Sequence, residues 1–261
     1  MIFMMKRLLT FSVFCVALAI APLAAHAQVV IPAAFANEEG NSGGEGTSLG
    51  NFSNTVQTVY DASLLSAAGL NVGDVLTGLS FRLNAVDNAP IWSVDDYEVR
   101  LATSLNSVGN LDRDFTLNRG SDYTVVRSGA LSYDGTEYDT SSTASSTGPG
   151  VPNAFGPALV FNDSTFTYNG GDLLLEYTHS VIDNSLNEPG VQQTARADAV
   201  TGFAGVQSQF APGFDGTLED FNGSGNGFAP IVQFSVAAVP EPTSAVLLVG
   251  LGLVGVVRRR R

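Results

Sequence analysis

Few residues in this chain have the types and spacing that chemistry requires. Paired carboxylates occur at Asp112-Arg113-Asp114 and at Asp95-Asp96. Calcium needs several oxygen ligands converging in space, and no EF-hand spacing surrounds either pair, so Asp112 and Asp114 are calcium candidates by residue type alone. Zinc lacks its usual ligands, because the body between the two ends holds one histidine, His179, and no cysteine. His179, in Tyr177-Thr178-His179-Ser180, stands at the end of a strand-like run, where a structural role competes with that of a base. Gly46-Thr47-Ser48-Leu49-Gly50 matches the nucleophile-elbow spacing of serine hydrolases. That chemistry needs a strand before the serine and a helix after it, and neither is signalled here. Trp92, the only tryptophan, follows Pro90 in an expected loop and is the one candidate platform for stacking on a sugar, with core packing as its competing role. No nucleophile–base constellation emerges, no catalytic residue is assigned and no cofactor is expected apart from calcium.

The two ends carry more information. Residues 1–27 place Lys6 and Arg7 before the apolar run Leu8 to Ala21, then close on Ala25-His26-Ala27. That order is the charged, hydrophobic and A-x-A plan of a secretory signal peptide, so signal peptidase is expected to cut after Ala27, with Ala25 and Ala27 as its recognition residues. A retained first membrane helix is the competing reading. At the other end Val239-Pro240-Glu241-Pro242 leads into the uncharged run Thr243 to Val257 and then Arg258, Arg259, Arg260 and Arg261. Pro240 and Pro242 lack a backbone N–H and hold the dipeptides extended. The run would span about 22 Å as a helix against ~30 Å of hydrocarbon, short for a permanent anchor. Gly250, Gly252 and Gly255 weaken it further. Four terminal arginines favour the cytoplasmic side, placing the body outside.

Pro-Glu-Pro, a short transmembrane helix and an arginine cluster, in that order over residues 239–261, resemble the PEP-CTERM sorting signal of exported bacterial proteins. The resemblance implies that an exosortase, an integral-membrane processing enzyme, cuts near Pro240, Glu241 and Pro242 and releases or transfers the protein to the exterior. Arg258 to Arg261 would act as the cytoplasmic stop signal. An ordinary tail anchor is the competing reading.

Between the ends the body holds six arginines, no lysine and 24 carboxylates, a formal charge of −18. Such an acidic surface repels phosphate, which excludes nucleic acid as a partner. Without cysteine there are no disulfides, and a packed core has to hold the fold. Residues 28–50 are expected to be a flexible glycine-rich segment, beginning with a short apolar piece. Residues 51–238 should form one β-sandwich domain. The clearest strand is Tyr97 to Leu105, with Tyr97, Val99, Leu101, Thr103 and Leu105 on one face and Glu98, Arg100, Ala102 and Ser104 on the other. Val75 to Leu83 reads similarly, with Val75, Thr77, Leu79, Phe81 and Leu83 together. Weaker runs lie at Thr55–Tyr60, Tyr123–Arg127, Ala158–Phe161, Leu173–Thr178 and Ile231–Val236. A turn or two of helix at Ser63–Leu70 ends at Gly69, and Asn169-Gly170-Gly171 is a tight-turn sequence.

The expected fold class is therefore all-β, an antiparallel β-sandwich of jelly-roll type flanked by a signal peptide and a transmembrane sorting helix. The body also looks like the β-sandwich domains that commonly precede this signal, through Val59-Tyr60-Asp61-Ala62-Ser63, Leu79-Ser80-Phe81-Arg82-Leu83 and Asn169-Gly170-Gly171-Asp172-Leu173-Leu174-Leu175. Two functions remain open. One is a secreted, non-catalytic surface or extracellular-matrix protein associated with exopolysaccharide. The other is a secreted carbohydrate-active enzyme or calcium-dependent carbohydrate-binding module.

Overall fold

A computed structural model provides the fold and describes residues 27–43, 54–85, 87–145, 148–180, 195–212 and 228–237. In chain order the first strands are β1 (Ala27–Ile31), β2 (Ser42–Gly43), β3 (Asn54–Tyr60), β4 (Val75–Phe81) and β5 (Ile91–Val94). They are followed by β6 (Tyr97–Thr103), β7 (Thr124–Arg127), β8 (Leu131–Asp134), β9 (Leu159–Val160) and β10 (Phe166–Thr167). The last are β11 (Leu173–His179), β12 (Asp198–Val200), β13 (Val206–Pro212), β14 (Ala229–Pro230) and β15 (Val232–Ala237). The α-helix α1 (Ala62–Ala67) lies between β3 and β4. The Asp61 side chain caps it by accepting from the Ser63 N–H at 2.7 Å, and Gly69 ends the segment at a φ of 92°.

Two five-stranded antiparallel sheets face each other. One runs β1-β15-β4-β10, with β9 also on β4, and the other runs β13-β3-β11-β6-β7. Their facing side chains make one core. Val29, Ile31, Leu79, Phe81 and Phe234 come from the first sheet, and Val56, Tyr60, Val99, Leu101, Leu175 and Tyr177 from the second. Phe81 and Tyr177 meet edge-on across the gap with ring centroids 5.6 Å apart. The Tyr60 hydroxyl, buried by that packing, donates to the Pro230 carbonyl at 2.9 Å. Two-face alternation in β6 follows the sequence pattern: Tyr97, Val99 and Leu101 enter the core while Glu98 and Arg100 stay half-buried on the outer face.

Three local features depart from the sequence pattern. In β4 the pairing with β15 slips between Ser235 and Val236, so Thr77 is the extra residue. A bulge of this kind reverses the alternation. Leu76 therefore joins Leu79 and Phe81 in the core, in place of the expected Val75. Residues 28–43, expected to be flexible, belong to the folded body. Val29 and Ile31 of β1 are core residues, and the polar stretch after them is pinned by buried charges described below. Finally, Trp92 lies in β5, paired with β8, not in a loop. Only 2 % exposed, it packs edge-on against Tyr133 at 4.9 Å. Buried against Tyr133, the ring does not offer its faces to a sugar.

Candidate functional site

The strand that leads into the sorting segment is β15. Its last residue, Ala237, pairs with Val75 of β4, and Val236 pairs with Ala27, the first residue of β1. Because β1 and β15 are antiparallel neighbours, the expected signal-peptidase point and the start of the C-terminal segment lie side by side at one end of one sheet. Strand spacing puts them about 5 Å apart. The rim of this end is made by two turns, Leu70–Asp74 before β4 and Tyr168–Asp172 after β10. They are locked together by Gly73 N–H to Tyr168 O at 2.8 Å and Tyr168 N–H to Asp74 O at 2.9 Å. Gly170 and Gly171 adopt φ of 96° and 81°, which only glycine takes without strain, and Val72 stands beside Gly170 with 71 % of its surface exposed.

Pro240, Glu241, Pro242, the run Thr243 to Val257, Arg258 to Arg261 and Ala25 lie outside the described residues, as does Ser48 with its flanking glycines. No helix among the described residues is long and apolar enough to cross a membrane. Asp112 and Asp114 are spent on local turns. Asp112 accepts from the Asp114 N–H at 2.9 Å, and Asp114 caps the short 3-10 turn Phe115–Asn118 by accepting from the Thr116 N–H and hydroxyl. Those bonds, Thr116 foremost, hold the Asp114 carboxyl below its ordinary range. Among the described residues no group of three or more His, Cys, Asp or Glu is placed to hold a metal ion. His179 is fully buried at the end of β11, stacked on Tyr97 with centroids 5.8 Å apart, and its Nδ1 lies 2.9 Å from the Ser180 carbonyl. Burial holds its pKa below the ordinary value, so the ring is neutral.

Two ionic clusters escaped the sequence reading. On the outer face of the second sheet Glu176 is fully buried and accepts five hydrogen bonds. Arg119 binds it twice, at 2.9 and 2.8 Å, Arg100 once at 3.1 Å, Gln57 at 2.7 Å and the Tyr123 hydroxyl at 2.7 Å. Arg100 also pairs with Glu98, its neighbour two residues back. Desolvation and the Glu176 charge both raise the Tyr123 pKa. With every lone-pair direction occupied, Glu176 is suited to clamp the loop between β6 and β7 onto the sheet, not to move a proton. Its sequence signal was a single acid inside Leu173-Leu174-Leu175-Glu176-Tyr177, opposite an arginine in the middle of β6.

The second cluster fixes the segment that follows β1. Arg82, 1 % exposed, donates from Nε to Asp198 Oδ2 at 2.7 Å and from Nη2 to the Glu38 carbonyl. Asp198 in turn accepts from the Gly40 N–H at 3.0 Å. Glu39, 4 % exposed, accepts from the Ala85 N–H at 2.7 Å through Oε1, while its buried Oε2 has no hydrogen-bond partner. Asp87 is held by Arg196 at 2.9 Å close by. Burial, then repulsion by Asp198, raise the Glu39 pKa to about 7, and burial raises Asp198 to about 6 against the pull of Arg82. Asp198 and Glu39 thus draw on one guanidinium.

A family model described as the PEP-CTERM protein-sorting motif matches residues 238–261. The protein carries that sorting motif, which marks it as an exported substrate of an exosortase, anchored transiently in the membrane before release at the surface. The match begins at the residue that follows Ala237, the last residue of β15. No curated protein and no solved structure matches the chain.

Proposed function

We propose that this is a non-catalytic surface or extracellular-matrix protein, cut by signal peptidase after Ala27 and by an exosortase near Pro240 to Pro242, whose jelly-roll-type sandwich associates with extracellular polysaccharide. The sorting match at residues 238–261 is the observation that carries the reading. A thiol-free body with a formal charge of −18 is suited to an oxidising exterior and stays soluble through self-repulsion. Saturation of Glu176 by five donors supports a binding or structural role over proton transfer at that carboxylate.

The test is a glycan array run with and without calcium, beside a hydrolysis assay on the same sugars. Binding without turnover is expected. Turnover would replace this reading with that of a secreted carbohydrate-active enzyme. Binding abolished by chelation would make the body a calcium-dependent carbohydrate-binding module.

A further inference from the structure

We infer that the sheet end formed by Gln28, Val75 and Ala237, rimmed by the Leu70–Asp74 and Tyr168–Asp172 turns, is an interaction surface for the exterior face of the membrane enzyme that processes the C-terminus. The inference rests on the export reading above. Ala237 is hydrogen-bonded into the sheet opposite Val75, and Pro240 follows three residues later. Even fully extended, three residues span only about 10 Å. The apolar run begins at Thr243, so only residues 238–242 separate the last strand from the segment destined for the membrane. An enzyme that grips the chain around Pro240 to Pro242 therefore has the folded end of the sandwich against it, with no linker long enough to hold the body away.

A second observation selects the same end. The antiparallel register places Ala27, where the signal peptide is expected to end, opposite Val236, so the two membrane-directed ends of the precursor join the body at the same corner. Both tethers thus orient this end toward the membrane and leave the rest of the body facing outward. The surface itself is firm. The two turns are cross-bonded between Gly73 and Tyr168 and between Tyr168 and Asp74, and Asp74 also accepts from the Asn71 N–H at 2.8 Å. At its rim Val72, beside Gly170, presents an exposed apolar side chain that a partner surface can bury.

The experiment expresses the full chain with an exosortase in a secreting host and follows precursor and product by pulse-chase and mass spectrometry. Three chains are compared: wild type, Val72→Asp, and a chain with Gly-Ser-Gly-Ser inserted between Ala238 and Val239. Trp92 fluorescence checks that each body is folded. If the sheet end contacts the enzyme, both altered chains accumulate precursor, with processing slowed at least threefold while the body stays folded. Processing of both at the wild-type rate would overturn the inference and leave the sorting reading intact. Faster processing of the lengthened chain would also overturn it, since the body would then be an obstacle and not a contact. A wild-type chain that keeps Arg261 under these conditions would refute the sorting reading itself, and the surface with it.

Discussion

Replacing Glu39 by glutamine should stabilise the protein at alkaline pH and flatten its pH dependence. Folding moves the Glu39 carboxyl from an ordinary value of 4.5 to about 7, and Asp198 from 3.8 to about 6. A carboxylate whose pKa is raised by folding binds its proton more tightly in the native state. Its stabilising contribution is complete below the unfolded value and is lost as pH rises through the folded one, here between about pH 4 and pH 8. For Glu39 the difference corresponds to ~3 kcal/mol, part of it owed to repulsion by Asp198. Glutamine keeps an acceptor for the Ala85 N–H and replaces the unpartnered Oε2 with a donor facing an anionic neighbour. The assay is urea unfolding followed by the fluorescence of the single tryptophan, Trp92, which is buried and will report loss of the core. With a urea m-value of about 2 kcal/mol/M, Glu39→Gln should raise the midpoint by roughly 1 M at pH 8 and leave it nearly unchanged at pH 4.5. Comparing variant with wild type cancels the general self-repulsion of the acidic body, which also weakens the fold as pH rises. Equal midpoints at pH 8, or a variant weaker than wild type at both pH values, would refute the assignment of Glu39 as the strained acid.

Three further outcomes follow from the packing. Gly40→Ala should destabilise by about 1–3 kcal/mol, because a Cβ there would lie 2.1 Å from the Ala199 carbonyl oxygen and 2.5 Å from Asp198 Oδ1; the same urea titration checks it. Arg119→Met should cost about 3 kcal/mol, since it removes two of the five donors to a carboxylate that remains fully buried; circular dichroism during thermal unfolding gives the loss. Tyr123→Phe removes one neutral donor from the same carboxylate and should cost less, ~1–2 kcal/mol, so the two variants rank the strength of the clamp.

What the sequence disclosed depended on how local the controlling interaction was. The strand β6 was legible because its alternation is set by nearest neighbours along one chain, whereas β3 and β11, buried on both faces, gave only weaker runs. The tight turn at Gly170-Gly171 was legible because only glycine accepts those backbone angles. The bulge at Thr77 was not, since it arises from the pairing of β4 with β15, a strand more than 150 residues away in sequence. Trp92 read as a loop residue because Pro90 stands just before it, yet β5 gains a partner in β8 and an aromatic cluster with Tyr133 and Tyr138. Glu39 sits in a stretch whose glycine and polar content signals flexibility. Ala85 holds Glu39 itself, Arg82 binds the Glu38 carbonyl and Asp198 binds the Gly40 N–H, and the stretch's own neighbourhood announces none of the three. The sorting segment is the opposite case: its meaning lies in a short linear order of residues and needs no tertiary partner to be read.

The mass of the C-terminal peptide of the protein recovered from outside the cell bears most directly on the whole account. A terminus upstream of Thr243, paired with an N-terminus at Gln28, is the predicted result. A polypeptide still ending in Arg258-Arg259-Arg260-Arg261 would contradict it and make the tail a lasting anchor.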